Sequence, residues 1–141
     1  MYYTLGVQCV GSFDTVEDDD TGAIIGKELV LEHWPEDDIL CGISGGNFVT
    51  RSLANALQTS GLTGFAIRSV KVVDGDQFFV CRKSRRGQRR PQIFEIQITG
   101  TAGKDDFGRD KHLVVSEKAM ELLKKFTLKY RTLNKYRGAD E

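Results

Sequence analysis

The hydrophobic and polar positions change period several times along this chain, and each change marks an element. Residues 2–10, Tyr-Tyr-Thr-Leu-Gly-Val-Gln-Cys-Val, are aromatic and β-branched around one glycine, which predicts a strand with a bulge. Residues 14–22 form a polar, acidic break. Residues 23–31 are a second β-compatible run, interrupted at Gly26-Lys27-Glu28. Residues 33–38 read as a loop, because Pro35 cannot donate to a ladder and disfavours helix before it. Residues 41–47 are a glycine-rich turn. From Thr50 or Ser52 the period becomes helical: Leu53, Ala54 and Leu57 share a face, Thr50 can cap the first turn and Gly61 supplies the stop.

Residues 65–73 alternate, with Phe65, Ile67, Val70 and Val72 as inward positions ahead of an Asp74-Gly75 turn. Residues 77–82 and 92–99 are two further strands joined by a polar hairpin loop at 83–91. In the second strand Phe94, Ile96 and Ile98 lie on one face and Glu95, Gln97 and Thr99 on the other. After a Gly/Asp-rich turn region at 101–111, a short apolar segment at 112–115 leads into a helix capped by Ser116. Its apolar face carries Ala119, Met120, Leu122, Leu123 and Phe126, and Glu121 and Lys125 form an i,i+4 ion pair. The basic, aromatic tail at 128–141 frays after Gly138. Four to six strands and two short amphipathic helices without a βαβ alternation make a single α+β domain, mainly antiparallel. No tandem repeat is visible, although both helices follow an apolar segment and a capping Ser or Thr.

The 141 residues suit one domain, and 20 Lys+Arg balance 20 Asp+Glu. That neutrality is divided in sequence. Residues 1–40 hold ten acids and one base, Lys27, so the rest of the chain carries the compensating positive excess. Such a split points to a charged interface. Apolar runs fall far short of the roughly 18 residues a membrane span needs, and the start lacks a leader pattern, so the expectation is a cytoplasmic protein. Three widely spaced cysteines, Cys9, Cys41 and Cys81, with no C-x-x-C, argue against disulfides and structural zinc and read as buried thiols. No metal and no cofactor is expected.

The densest chemical feature is Arg82-Lys83-Ser84-Arg85-Arg86-Gly87-Gln88-Arg89-Arg90. Its guanidinium groups suit phosphate or an acidic protein surface. Arg82, Lys83, Arg85, Arg86, Arg89 and Arg90, with the acidic Asp18, Asp19 and Asp20, are therefore the candidate partner-binding residues. A nucleic-acid module on the 82–90 loop is one alternative, weakened by sparse aromatic interleaving and by the acidic first third. The other is a small serine hydrolase. Gly42-Ile43-Ser44-Gly45-Gly46 satisfies G-x-S-x-G, and Asp105 or Asp106 and then His112 follow in the matching order, but the chain is short for that fold and the helix starts late. Asp106-Phe107-Gly108 lacks every companion motif of a kinase, and neither Asp18-Asp19-Asp20 nor Glu36-Asp37-Asp38 has calcium-loop spacing, so both read as solvated acidic loops.

Two stretches carry a family resemblance. Residues 47–70, with Val49, Thr50, Leu53, Leu57 and the Gly61-Leu62-Thr63-Gly64-Phe65 run, and residues 105–123, with Leu113-Val114-Val115-Ser116-Glu117 and Leu122-Leu123, resemble segments of a family of immunity proteins from bacterial polymorphic toxin systems. Related double-C-x-x-C-G proteins share similar segments, but this chain has no C-x-x-C, so no metal carries over. The matched positions are cap, turn and core residues. The resemblance implies a small cytosolic α+β protein without catalysis of its own, which binds and neutralises a cognate toxin through variable charged loops.

Overall fold

The computed structural model describes residues 1–43, 45–78 and 88–137. In chain order they form β1 (Tyr2–Gly6), β2 (Gln8–Glu17), β3 (Ile24–Leu31), β4 (Ile39–Gly42), β5 (Asn47–Thr50), α1 (Arg51–Gln58), β6 (Phe65–Ser69), β7 (Lys71–Asp74), β8 (Ile93–Ile98), β9 (Phe107–Asp110), β10 (His112–Ser116), α2 (Glu117–Leu123) and β11 (Thr132–Lys135). The α+β class is as expected. The strands are more numerous because two apolar runs are cut by a single residue each and because β4, β5, β9 and β11 form where turns, a helix approach and a fraying tail were expected. Val7 divides the first run between two sheets, and Val70 divides the 65–73 run between opposite edges of one sheet.

A four-stranded sheet has the order β11-β1-β10-β9, and a seven-stranded sheet the order β6-β8-β5-β4-β2-β3-β7. All pairings are antiparallel except β2 with β4 and β3 with β7. Ser69 and Lys71 lie on the two outermost strands of the larger sheet with Val70 alone between them. Consecutive Cα atoms are about 3.8 Å apart, so those edges meet within about 8 Å. The sheet therefore curls round on itself. Its inner face encloses Val10, Leu29, Leu31, Leu40, Phe48, Phe78 and Ile93, with Val70 and Val72 packed against them. Its outer face, through Ile39, Val49 and Ile96, meets Leu5, Leu113 and Val115 of the small sheet and the apolar faces of both helices. Neighbours in β4 and β5 alternate between the two cores, which explains why every residue of Asn47–Thr50 is buried.

Several expectations need correction. The polar break at 14–22 begins later than expected, since β2 runs to Glu17 before the turn, and β3 passes through Gly26-Lys27-Glu28 without interruption. Gln77 and Phe78 are helical, with Asp76, rather than strand, and residues 79–82 lie outside the described residues; β8 pairs with β5 on one side and β6 on the other, so it has no free edge for the expected 77–82 partner, and the loop at 83–91 falls largely outside the described residues. The tail contains β11, paired with β1. α2 ends at Leu123, before Lys125, and no Glu121–Lys125 ion pair is made.

The structure also contains a repeat that the sequence conceals. A hairpin (β4–β5 or β9–β10) is opened by an aspartate, Asp38 or Asp106, and closed by Thr50 or Ser116, which starts a helix. The buried residues are Leu53, Ala54 and Leu57 in α1 and Ala119, Met120 and Leu123 in α2, at the same offsets from Thr50 and Ser116. Thr50 N–H donates to the Asp38 carbonyl at 3.0 Å and Ser116 N–H to the Asp106 carbonyl at 2.8 Å. The Thr50 and Ser116 hydroxyls each donate to their own aspartate at 2.6 Å. The remaining carboxylate oxygens cross over: Asp38 accepts from Thr127 N–H, beyond α2, at 2.8 Å, and Asp106 from Thr63 N–H, beyond α1, at 3.0 Å. Each unit thus ties down the segment that leaves the other unit's helix. One difference remains. Ser116 also caps Ala119 N–H at 3.1 Å, whereas Thr50 makes no side-chain cap bond, although both hydroxyls donate to their aspartates.

Candidate functional site

β2 and β3 pair along Gly11–Leu31 through Glu17–Ile24, yet their other neighbours stop short. β4 accompanies β2 no further than Gly11, and β7 joins β3 only from Glu28. Residues 12–27 therefore leave the sheet as a two-stranded arm, roughly 20 Å long at about 3.4 Å per residue. Phe13 anchors its root edge-on against Phe48, with ring centroids 5.0 Å apart, and Lys27 lies over the Phe13 ring at 5.1 Å. Towards the tip Ile24 is 67% exposed and Ile25 66%. The turn holds Asp18, whose carboxylate accepts from Asp20 N–H at 2.9 Å and Thr21 N–H at 3.0 Å; those backbone donors hold it below its ordinary value. Asp19 and Asp20 are exposed beside it. The three aspartates expected to face a partner are thus together at the end of a projecting ribbon. Ile24 and Ile25 were not singled out by the sequence, because an apolar residue in an alternating run reads as core.

The remaining acids of the first third have a different use. Glu28 pairs with Lys71 at 3.7 Å and Glu36 with Lys129 at 3.9 Å. Buried Asp37 accepts from Lys129 N–H at 2.7 Å and Tyr130 N–H at 2.9 Å, while Asp38 holds Thr127. Residues 36–38, expected to be a solvated acidic loop, instead fasten the chain leaving α2. About half of the negative charge is consumed internally and the rest is concentrated on the arm.

Of the basic candidates, Arg82, Lys83, Arg85 and Arg86 lie outside the described residues. Arg89 is exposed, whereas Arg90 pairs with Asp74 through Nε at 3.3 Å. Both border a cleft of about 300 Å³ with Trp34 and Phe78, whose rings stack at 5.8 Å.

A second cleft, of about 350 Å³, opens between the two sheets and is lined by Gly42, Ile43, Gly45, Gly46, Arg109 and His112, with Cys41 beside them. Ser44 lies outside the described residues. The carboxylates assigned to the hydrolase alternative are engaged elsewhere: Asp105 accepts from Thr101 N–H at 2.8 Å, and Asp106 from Ser116 and Thr63. Neither is hydrogen-bonded to His112. Arg109 donates to the Asn47 side-chain oxygen across the mouth of this cleft.

The cysteines depart from the buried-thiol expectation. Cys9 is exposed and Cys41 half-buried, and they are register partners on the parallel strands β2 and β4. Burial, the adjacent Cys9 and a hydrogen bond with it push the Cys41 thiol up to about 11, against an opposing pull from Arg109. Cys81 lies outside the described residues. Among the described residues no cluster of three or more His, Cys, Asp or Glu side chains is placed to hold a metal, and no helix is long and apolar enough to cross a membrane.

Comparison with protein-family models, with curated proteins and with solved structures returns no match to this chain.

Proposed function

We propose that the chain is a non-enzymatic immunity-type protein that binds and neutralises a cognate toxin, with the 12–27 arm as its main docking element. The observation that carries this reading is the arm itself: a two-stranded ribbon beyond the sheet, with two exposed isoleucines and an acidic turn. An isolated ribbon buries little apolar surface of its own and gains most when a partner covers it. The complementary partner surface is basic around an apolar hollow. Opposite charge speeds encounter by 10- to 10³-fold, and burial of the isoleucines then slows dissociation. The two segments that resemble immunity proteins support the same reading, since residues 105–123 span one hairpin–helix unit of the scaffold from which the arm projects and residues 47–70 carry the second strand and the helix of the other.

Co-expression with the toxin-like product of an adjacent gene tests it. A stable complex and restored growth are expected, with an association rate that falls as salt rises. If neither rescue nor a complex is obtained, while a mixed DNA/RNA pool binds tightly at low salt, the nucleic-acid alternative replaces this reading.

A further inference from the structure

Cys9 and Cys41 face one another directly across parallel strands. Adjacent strands lie about 4.8 Å apart, inside the Cα separation of roughly 4.4–6.8 Å that a disulfide spans. One member is exposed and the other lines the inter-sheet cleft, so an oxidant reaches the pair from solvent without unfolding. The location also has consequences. Cys9 lies just before the arm's root, and Cys41 leads into the turn whose Ile43 N–H donates to the Gly11 carbonyl at 2.7 Å.

We infer that Cys9 and Cys41 form an oxidation-sensitive dithiol that closes reversibly to an intramolecular disulfide in response to a peroxide, fastening β2 to β4 at the base of the arm. The Cys9 sulfur attacks one peroxide oxygen and the O–O bond breaks, leaving Cys9 as the sulfenic acid and releasing water. The Cys41 sulfur then attacks the Cys9 sulfur. The S–S bond forms as the S–O bond breaks, and the oxygen leaves with the Cys41 proton as a second water. Two electrons pass from the two thiols to the peroxide, and a dithiol reductant returns them. The order follows from the environment: Cys41 is held protonated at neutral pH by burial and by Cys9, so the exposed Cys9 reacts first. Once Cys9 is a sulfenic acid, burial still raises the Cys41 thiol, but the upward contribution of the Cys9 thiol is gone and the opposing pull of Arg109 remains.

The full chain is treated with hydrogen peroxide under native conditions, free thiols are alkylated, and tryptic peptides are mapped without reduction. Cleavage at Lys27, Arg51, Lys71 and Arg82 places each cysteine in a separate peptide. The expected product is the Cys9 peptide joined to the Cys41 peptide, less two hydrogens, restored by dithiothreitol, in a protein that gains no disulfide-linked dimer and unfolds at higher urea concentration. In C41S, Cys9 is expected to persist as a sulfenic acid trapped by dimedone. Oxidised Cys9 alongside fully alkylated Cys41, a product linked through Cys81, or a dimer joined by two Cys9 residues would each overturn the inference.

Discussion

Replacing Asp106 with alanine tests the repeated architecture at one atom group. Its carboxylate accepts from Ser116 Oγ at 2.6 Å and from Thr63 N–H at 3.0 Å, with Thr63 Oγ1 at 3.4 Å. A hydrogen bond to a charged group contributes about 1.5–3 kcal/mol, and the half-buried position lets water recover part of that for Thr63. We therefore expect D106A to cost about 2–4 kcal/mol. D38A should cost a similar amount, because Asp38 makes the matching pair of bonds to Thr50 and Thr127. Urea unfolding followed through Trp34, the single tryptophan, reads the loss as a lower midpoint at unchanged slope. The pH dependence has a definite sign. Burial raises the Asp106 carboxyl, but the donors Ser116 and Thr63, with Lys118 nearby, outweigh it and hold the group below its ordinary value. A depressed folded value contributes stability that is present above the unfolded value and lost as pH falls through the folded one. D106N should therefore flatten the acid limb below about pH 4, where the unfolded carboxyl titrates. A D106A loss below about 0.5 kcal/mol, the range of an ordinary surface substitution, would refute the cross-tying of the two units.

The difference between the two caps predicts that S116A costs about 1 kcal/mol more than T50A in the same assay, since only Ser116 also accepts from its helix. In the Gly61–Gly64 turn, both glycines have left-handed φ, 75° and 93°, but a Cβ at Gly61 meets open space while one at Gly64 runs into the Phe107 carbonyl. G61A should therefore cost about 1 kcal/mol and G64A several times more, read as thermal midpoints. I24S/I25S should leave the unfolding midpoint within about 0.5 kcal/mol of the parent. If the arm docks as proposed, the same pair loses about 2–4 kcal/mol of apolar burial with the toxin, roughly 30-fold to several hundred-fold in Kd by calorimetry; unchanged affinity would remove the arm from the interface.

Elements governed by local chemistry were legible from the chain. α1 and α2 follow from Leu53, Ala54 and Leu57 and from Ala119, Met120 and Leu123 at helical spacing, and Ser116 caps as its position implies. β8 follows from the strict alternation after Ile93, and the acidic tip of the arm from Asp18, Asp19 and Asp20. Strand partners were not legible. Val7 and Val70 look like interior residues of continuous runs, yet the chain changes sheet at one and sheet edge at the other, because pairing there is decided by strands distant in sequence.

Charge shows the same division. Composition and periodicity determined an α+β chain with two short amphipathic helices and a negative first third, since helical spacing, alternation and charge are properties of neighbouring residues. Tertiary structure decided what the charges do: Asp37 and Asp38 capture backbone donors some ninety residues away, Asp106 and Asp38 cross-tie two hidden repeats, and Asp18–Asp20 remain outside on the arm. It also brought Cys9 opposite Cys41. A carboxylate or a thiol acts on whatever lies within a few ångströms, and that neighbourhood is fixed only when the sheets close.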